Sequence, residues 1–199
     1  MDVGCGNGYS VFQFASLFRS NFYGLDFSKP MIDAALEHKR MGPPLRGNTA
    51  FYVGDVTNIP CPSNMFDVAT SGRCLQNLTS WEMQQQAIDE LLRVVRPGGK
   101  VILAECSVTG VEQMNKLRRR LGKPPLRGTP PWHNVFLDDG KIRALASTKT
   151  AVASVEIEHY ASSYMLITRI LEVGHRWADR IPNLGSLGYF KLYVLTRTS

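Results

Sequence analysis

Long apolar runs are missing from this 199-residue chain. None approaches the roughly 18 residues that a membrane-crossing helix needs, so the sequence predicts no membrane span. The first residues carry no charged-then-apolar leader, and no secretory signal is expected. Cysteine is scarce: four, at positions 5, 61, 74 and 106, with no C-x-x-C spacing and no matching histidine pair. That pattern argues against a zinc site and against a disulfide framework, so no metal is expected and reduced thiols in a cytoplasmic setting fit best. Neither Gly-Lys-Ser nor Gly-Lys-Thr occurs, which removes a Walker phosphate loop. Internal repeats and low-complexity tracts are also missing.

What remains is the composition of an ordinary soluble globular protein, with 44% hydrophobic and 20% charged residues. The length suits one domain, or one domain with an inserted cap. The formal charge of +6 is modest. It could favour an anionic substrate, a membrane surface or RNA, although a basic surface more often has no such purpose.

The informative stretch is Asp2-Val3-Gly4-Cys5-Gly6-Asn7-Gly8, followed by helix-like spacing from Tyr9 to Arg19. Three glycines on alternate positions after a strand let a tight turn bring backbone N–H groups close to a ligand. Two apolar runs ending in carboxylates follow: Phe22-Tyr-Gly-Leu-Asp26 and Ala50-Phe-Tyr-Val-Gly-Asp55. In an open α/β sheet these acids fall at successive strand tips, where ribose hydroxyls are held. The dinucleotide fingerprint G-x-G-x-x-G fails, because counting from Gly4 puts Tyr9 in the last slot, and counting from Gly6 puts Val11 there.

These segments resemble the class I S-adenosylmethionine-dependent methyltransferases, closest to the small-molecule branch often called type 11. Asp2 to Gly8 is similar to the family's first motif, Gly24 to Met31 to its second and Gly54 to Pro60 to its third. Phe66 to Ser71 matches its fourth strand, and Leu91 to Leu103 its helix, turn and fifth strand. The resemblance covers roughly residues 1 to 106. It implies a Rossmann-like, doubly wound, mostly parallel seven-stranded α/β sheet with an antiparallel last strand. The expected divisions are a cofactor-binding core over 1–106, an inserted cap or linker over 107–136, and completion of the sheet over 137–199.

The cofactor implied is S-adenosyl-L-methionine. By motif, the turn of Gly4, Gly6 and Gly8 would approach its methionine part, and Asp2 would hold its amino group through water. Asp26 would accept from both ribose hydroxyls, with Phe27 packed on the adenine. Asp55 would accept from the adenine amino group, with the Val56 N–H opposite a ring nitrogen. Ser71 and Gln76 would lie near the sulfonium. No Asn/Asp-Pro-Pro-Tyr/Phe sequence follows strand four, which lowers the expectation of a base methyltransferase.

The chain opens three residues before the glycine turn, so a truncated first strand is expected, and the leading helix of the family lies outside it. After strand five, Val111, Met114, Leu117 and Leu121 recur at helical spacing, interleaved with Lys116, Arg118, Arg119 and Arg120. The proline pairs at 124–125 and 130–131 then predict an extended linker. Further helix is expected over Leu137 to Ser147, with strands over Val155 to Tyr160 and Tyr189 to Leu195. Ala161 to Leu171 could be either.

His133, beside Trp132 in the insertion, is the candidate general base, because histidine titrates near neutrality. His159 reads better as strand structure, and His38 and His175 have no distinguishing context. The functional expectation is methyl transfer to an oxygen or nitrogen of a small-molecule acceptor. Two alternatives stand beside it: a truncated or non-catalytic cofactor-binding scaffold, and an RNA-directed enzyme using Arg118 to Arg120.

Overall fold

A computed structural model describes residues 1–126, 134–160, 162–172 and 188–199. The strands of these residues are β1 (Asp2–Val3), β2 (Asn21–Asp26), β3 (Asn48–Val53), β4 (Phe66–Gly72), β5 (Val95–Cys106), β6 (Val152–His159) and β7 (Phe190–Arg197). They form one sheet in the order β3-β2-β1-β4-β5-β7-β6. The first five strands run parallel, whereas β7 is antiparallel to both its neighbours. This is the expected sheet. The order reverses at β1, so the crevice where an α/β sheet takes its ligand opens beyond the ends of β1, β2 and β4.

β1 is short but central. Asp2 and Val3 pair with Gly24 and Leu25 on one side and with Thr70 and Ser71 on the other. The Thr70 N–H extends the ladder by donating to the Met1 carbonyl at 2.7 Å.

Helices α1 (Tyr9–Leu17), α2 (Lys29–Met41), α3 (Trp81–Val94), α4 (Val108–Arg120), α5 (Asp139–Thr148) and the single turn α6 (Ser162–Met165) connect or flank the strands. Neighbouring residues of β2 point to opposite faces. Tyr23 and Leu25 join the main core with Val3, Ile88, Leu91 and Leu103, whereas Phe22 packs on a second cluster of Cys5, Val11, Ile32, Ala35 and Phe51. The first is the layer under α3 and α5, the second the layer under α1 and α2.

Local sequence explains the helix ends. Ser80 caps α3 by accepting from the Met83 N–H at 3.3 Å. Asp138 caps α5 by accepting from Gly140 and Lys141.

α4 forms where the apolar spacing predicts a helix. Met114 is buried against Met165 and Ile170 in a third, smaller core. Its basic residues do not share one exposed face, because the Arg118 side chain is buried. Arg118 donates to the carbonyls of Pro124 and Arg169 and pairs with Glu172 at 3.0 Å. The segment left open between strand and helix is helical: α6 runs into a π-helical turn at Leu166–Leu171. The second proline pair, Trp132, His133 and His175 lie outside the described residues. Among the described residues, no helix is long and apolar enough to cross a membrane.

Candidate cofactor cleft

The glycine turn adopts the left-handed backbone its sequence predicts. Gly4 sits at φ +65° and Gly6 at +53°, a region that costs an ordinary L-residue about 1–2 kcal/mol. The two positions differ in what surrounds them. A Cβ on Gly4 would lie 2.5 Å from Cys74 Cβ, so the turn after β4 closes directly on it. A Cβ on Gly6 would meet nothing within 4 Å, so that side of its backbone is open to an approaching ligand.

Asp26 is built into this turn. One carboxylate oxygen accepts from the Gly6 N–H at 2.8 Å and the other from the Ser28 N–H at 2.8 Å. An ionised carboxylate offers about four lone-pair positions. Two therefore remain for a diol. Ser28 precedes α2 but makes no side-chain cap, its N–H being held by Asp26.

Asp55 ends the third strand's extension. Its Oδ1 accepts from the Thr57 N–H and hydroxyl, both at 2.8 Å, a local turn that fixes the carboxylate and leaves Oδ2 outward. Val56 beneath it is buried, and Phe27 is 80% exposed. A hollow of about 270 Å³ is lined by Gly4, Leu25, Phe27, Gly54, Asp55, Val56, Leu78 and Met83. The first, second and third strand tips therefore share one cavity.

The other sequence candidates are placed differently. Asp2 accepts from the Thr70 hydroxyl at 2.7 Å, and burial pushes its carboxyl above the usual range. It lines a separate apolar hollow with Val11, Phe14, Phe22, Tyr23 and Ile102. Ser71 is buried and donates to Glu105 at 2.8 Å. The Gln76 Oε1 accepts from the Cys106 N–H at 3.4 Å, and its carbonyl from the Val135 N–H at 2.7 Å. His133 cannot be related to the cleft, since it lies outside the described residues.

The field in the cleft is negative. The Cys74 thiol is pushed up to about 12 by burial and by the carboxylates of Glu105, Asp26, Asp2 and Asp55. A cationic ligand suits such a site, and a bare phosphate does not.

Sequence reading missed Glu105, which sits inside an apolar strand pattern, and an aromatic group beside it. At the same end of the sheet, Phe136 stacks on Tyr189 with centroids 6.3 Å apart, and Tyr160 stacks on Phe190 at 5.6 Å. Phe190 pairs with Cys106 in the ladder, so these rings flank the end of β5. No linear motif joins residues 136, 160 and 190; only the antiparallel β7 does.

This crevice, at the reversal point of a seven-stranded sheet with its last strand antiparallel, defines the class I methyltransferase fold. The chain belongs to the methyltransferase domain family, which matches residues 1–103 and is S-adenosylmethionine-dependent. The demethylmenaquinone methyltransferase of Desulfitobacterium hafniense is 34% identical over 133 residues, covering 62% of this chain and 51% of that protein. The tRNA (carboxymethyluridine(34)-5-O)-methyltransferase of Arabidopsis thaliana is 34% identical over 103 residues, 52% of this chain and 22% of that protein. The chain thus spans about half the length, or less, of these curated relatives. Among solved structures, an S-adenosylmethionine-dependent methyltransferase from Methanosarcina mazei superposes with a TM-score of 0.65 at 18% identity, over 99% of this chain and 90% of that one.

Proposed function

We propose that the protein transfers a methyl group from S-adenosyl-L-methionine to an oxygen or nitrogen of a small-molecule acceptor. The observation carrying this is the convergence of Gly4, Phe27, Asp55 and Val56 on one hollow, with Asp26 tied to Gly6 at its edge. The residues fit the cofactor: open left-handed glycine backbone, two carboxylates with free lone pairs at the strand tips, an exposed ring between them, and a negative field.

Asp26 would hold the ribose diol with its two unused lone pairs, and Asp55 Oδ2 the adenine amino group. Phe27 would pack on the adenine, with the Val56 N–H opposite a ring nitrogen. Asp2, turned to Thr70, would act on the amino group through water. When bound, the cofactor supplies a sulfonium-activated methyl whose leaving group needs no protonation. The protein's task is then mainly position, and a general base is needed only where the acceptor must lose a proton. Ser71 and Gln76 would lie nearest the sulfonium, both held by Glu105, and His133 remains the candidate base.

A small acceptor is supported by the aromatic group of Phe136, Tyr160, Tyr189 and Phe190 beyond β5, which offers flat apolar surface beside the turn. The Desulfitobacterium relative, named for a quinone-type acceptor, points the same way. The RNA reading loses an argument, since Arg118 is engaged inside the fold.

Isothermal titration with S-adenosylmethionine and S-adenosylhomocysteine tests the cofactor, and labelled-methyl transfer to candidate acceptors tests turnover. Saturable binding of both is expected, and no heat from a folded sample overturns the reading. Binding without transfer to any acceptor would favour the non-catalytic scaffold.

The two glycines give a sharper pair of outcomes. Gly4→Ala should destabilise the fold by roughly 2–4 kcal/mol, because the new Cβ meets Cys74 in a strained backbone. Gly6→Ala should cost only about 1 kcal/mol yet weaken S-adenosylhomocysteine binding at least about tenfold, its methyl occupying the approach to the turn. Thermal melts and titration of the two variants separate the effects.

A further inference from the structure

Glu105 is a carboxylate with no solvent exposure at the end of β5, and neither the motifs nor the cofactor roles above use it. It accepts four hydrogen bonds: from the Ser71 hydroxyl at 2.8 Å and from the N–H groups of Cys74, Leu75 and Gln76 at 3.0, 3.0 and 3.4 Å. The last three belong to consecutive residues opening a 3₁₀ turn at Leu75–Asn77, whose leading amides have no partner within the turn. No lysine or arginine forms an ion pair with Glu105 among the described residues.

The turn it gathers meets the glycine turn, β5 and the returning segment. Cys74 abuts Gly4, and Gln76 meets Cys106 on β5 and Val135 on the returning segment. Gln84 of α3 reinforces the same point, donating to the carbonyls of Leu75 and Val135 at 3.2 and 2.6 Å. A buried ion without a cationic partner is costly, and an apolar residue would serve a core better. A carboxylate here is explained by the need to collect several donors at once.

We propose that Glu105 is the positioning residue of the transfer site: by drawing Ser71 and three consecutive amides to one carboxylate, it holds the 72–77 turn against Gly4 and so shapes the cleft wall. This rests on the cofactor reading above for its functional consequence, and on the hydrogen bonds alone for its structural one.

Oε1 accepts from Ser71, Cys74 and Leu75, whereas Oε2 accepts only the longer bond from Gln76, so protonation on Oε2 disturbs the last alone. Burial pushes Glu105 up to about 7, against the hydrogen bonds, which lower it. The other titratable groups around it are Arg73 and Cys74 on the turn, Cys106 on β5, Tyr160 after β6 and Tyr193 on β7, with Asp2 and Asp26 beyond Cys74. The cysteine and tyrosine shifts lie upward, so those groups stay neutral between pH 6 and 8. Beside these cysteines and tyrosines, Glu105 is the group expected to change charge in that interval.

Hydrogen exchange of the wild-type protein at pH 6 and pH 8, corrected for intrinsic rates, reads the clasp directly. Because the buried Glu105 is pushed up to about 7, above the usual carboxyl value, the closed turn holds the proton more tightly than the opened one, and protection of the Cys74, Leu75 and Gln76 amides should fall about tenfold from pH 6 to pH 8. In Glu105→Leu, which removes both acceptor oxygens, protection at these amides should be lost at both pH values while the β1–β3 ladder stays protected. S-adenosylhomocysteine affinity should be low in Glu105→Leu, with partial rescue by Glu105→Gln, whose amide oxygen can keep the three bonds from Ser71, Cys74 and Leu75. Unchanged protection of residues 74–76 in Glu105→Leu overturns the proposal. Should Glu105→Leu not fold, Ser71→Ala, which removes one donor and should lower the protection of the three amides, decides it. Wild-type protein that shows the protected, pH-dependent turn but binds no S-adenosylhomocysteine would instead defeat the cofactor reading and leave the clasp standing.

Discussion

Asp26→Asn is expected to abolish measurable S-adenosylhomocysteine binding almost as completely as Asp26→Ala. Both carboxylate oxygens already accept from backbone, one from Gly6 and the other from Ser28. An asparagine must therefore turn its NH₂ toward one of those N–H groups whichever way it flips, and the other oxygen cannot serve two roles. Two charge-assisted hydrogen bonds to the ribose at about 1.5–3 kcal/mol each give a loss of at least roughly 100-fold in affinity. The loosened glycine turn adds to it. Asp55→Asn should behave otherwise, because its Oδ1 alone makes the local turn with Thr57. The amide can keep that oxygen in place, so the fold survives and only the adenine contact is lost, for a decrease of about tenfold. Titration calorimetry of the three variants, with melts as control, distinguishes a cofactor site from a structural one. Equal affinity in Asp26→Asn and wild type would remove Asp26 from the site.

The difference between these two acids illustrates what was legible in the chain. That Gly4, Gly6, Asp26 and Asp55 lie on strand tips follows from local pattern: apolar runs of strand length ending in a turn, spaced so that a helix fits between. The parallel order of β1 to β5 follows from the same alternation. Asp2 was harder to read, because its direction depends on Thr70, a partner 68 residues away on β4. Glu105 was hidden for a similar reason. Its four donors come from β4 and the turn after it, so the strand shows only one acid in an apolar run.

The basic helix shows the opposite failure. Interleaved arginines read as a solvated or nucleic-acid face, yet Arg118 meets the carbonyls of Pro124 and Arg169. Periodicity places a residue on a helix face but says nothing of what later packs on it. The aromatic group around β5 has the same origin, assembled by β7 from residues distant in sequence.

Lys191→Met carries the largest expected stability effect. Lys191 is 2% exposed and pairs with Asp139, which also accepts from the Ser107 hydroxyl at 2.6 Å and the Tyr193 hydroxyl at 2.8 Å. Burial works to raise Asp139, but the bonds from Lys191, Ser107 and Tyr193 outweigh it and hold the carboxyl below its usual range. In the wild type this stability is present above the unfolded carboxyl value near 4 and is lost as pH falls through the lower folded one. Without the lysine, burial prevails and the folded value rises above the unfolded one. The variant should lose about 3–5 kcal/mol at pH 7, on the order of 10 °C in melting temperature. Below about pH 5 the deficit should narrow as the stranded carboxylate takes up a proton. Lys191→Met/Asp139→Asn should recover much of the loss, because no buried charge is then left alone. His159, held down by burial and then by Lys191, should titrate higher in the single variant, which histidine NMR can follow. Ser107 caps α4 through the Gly110 N–H at 3.0 Å while donating to Asp139, so this cluster fixes where the chain leaves β5 and where α5 begins. A loss below 1 kcal/mol, or none recovered in the double variant, would show that the frame of the cleft does not depend on it.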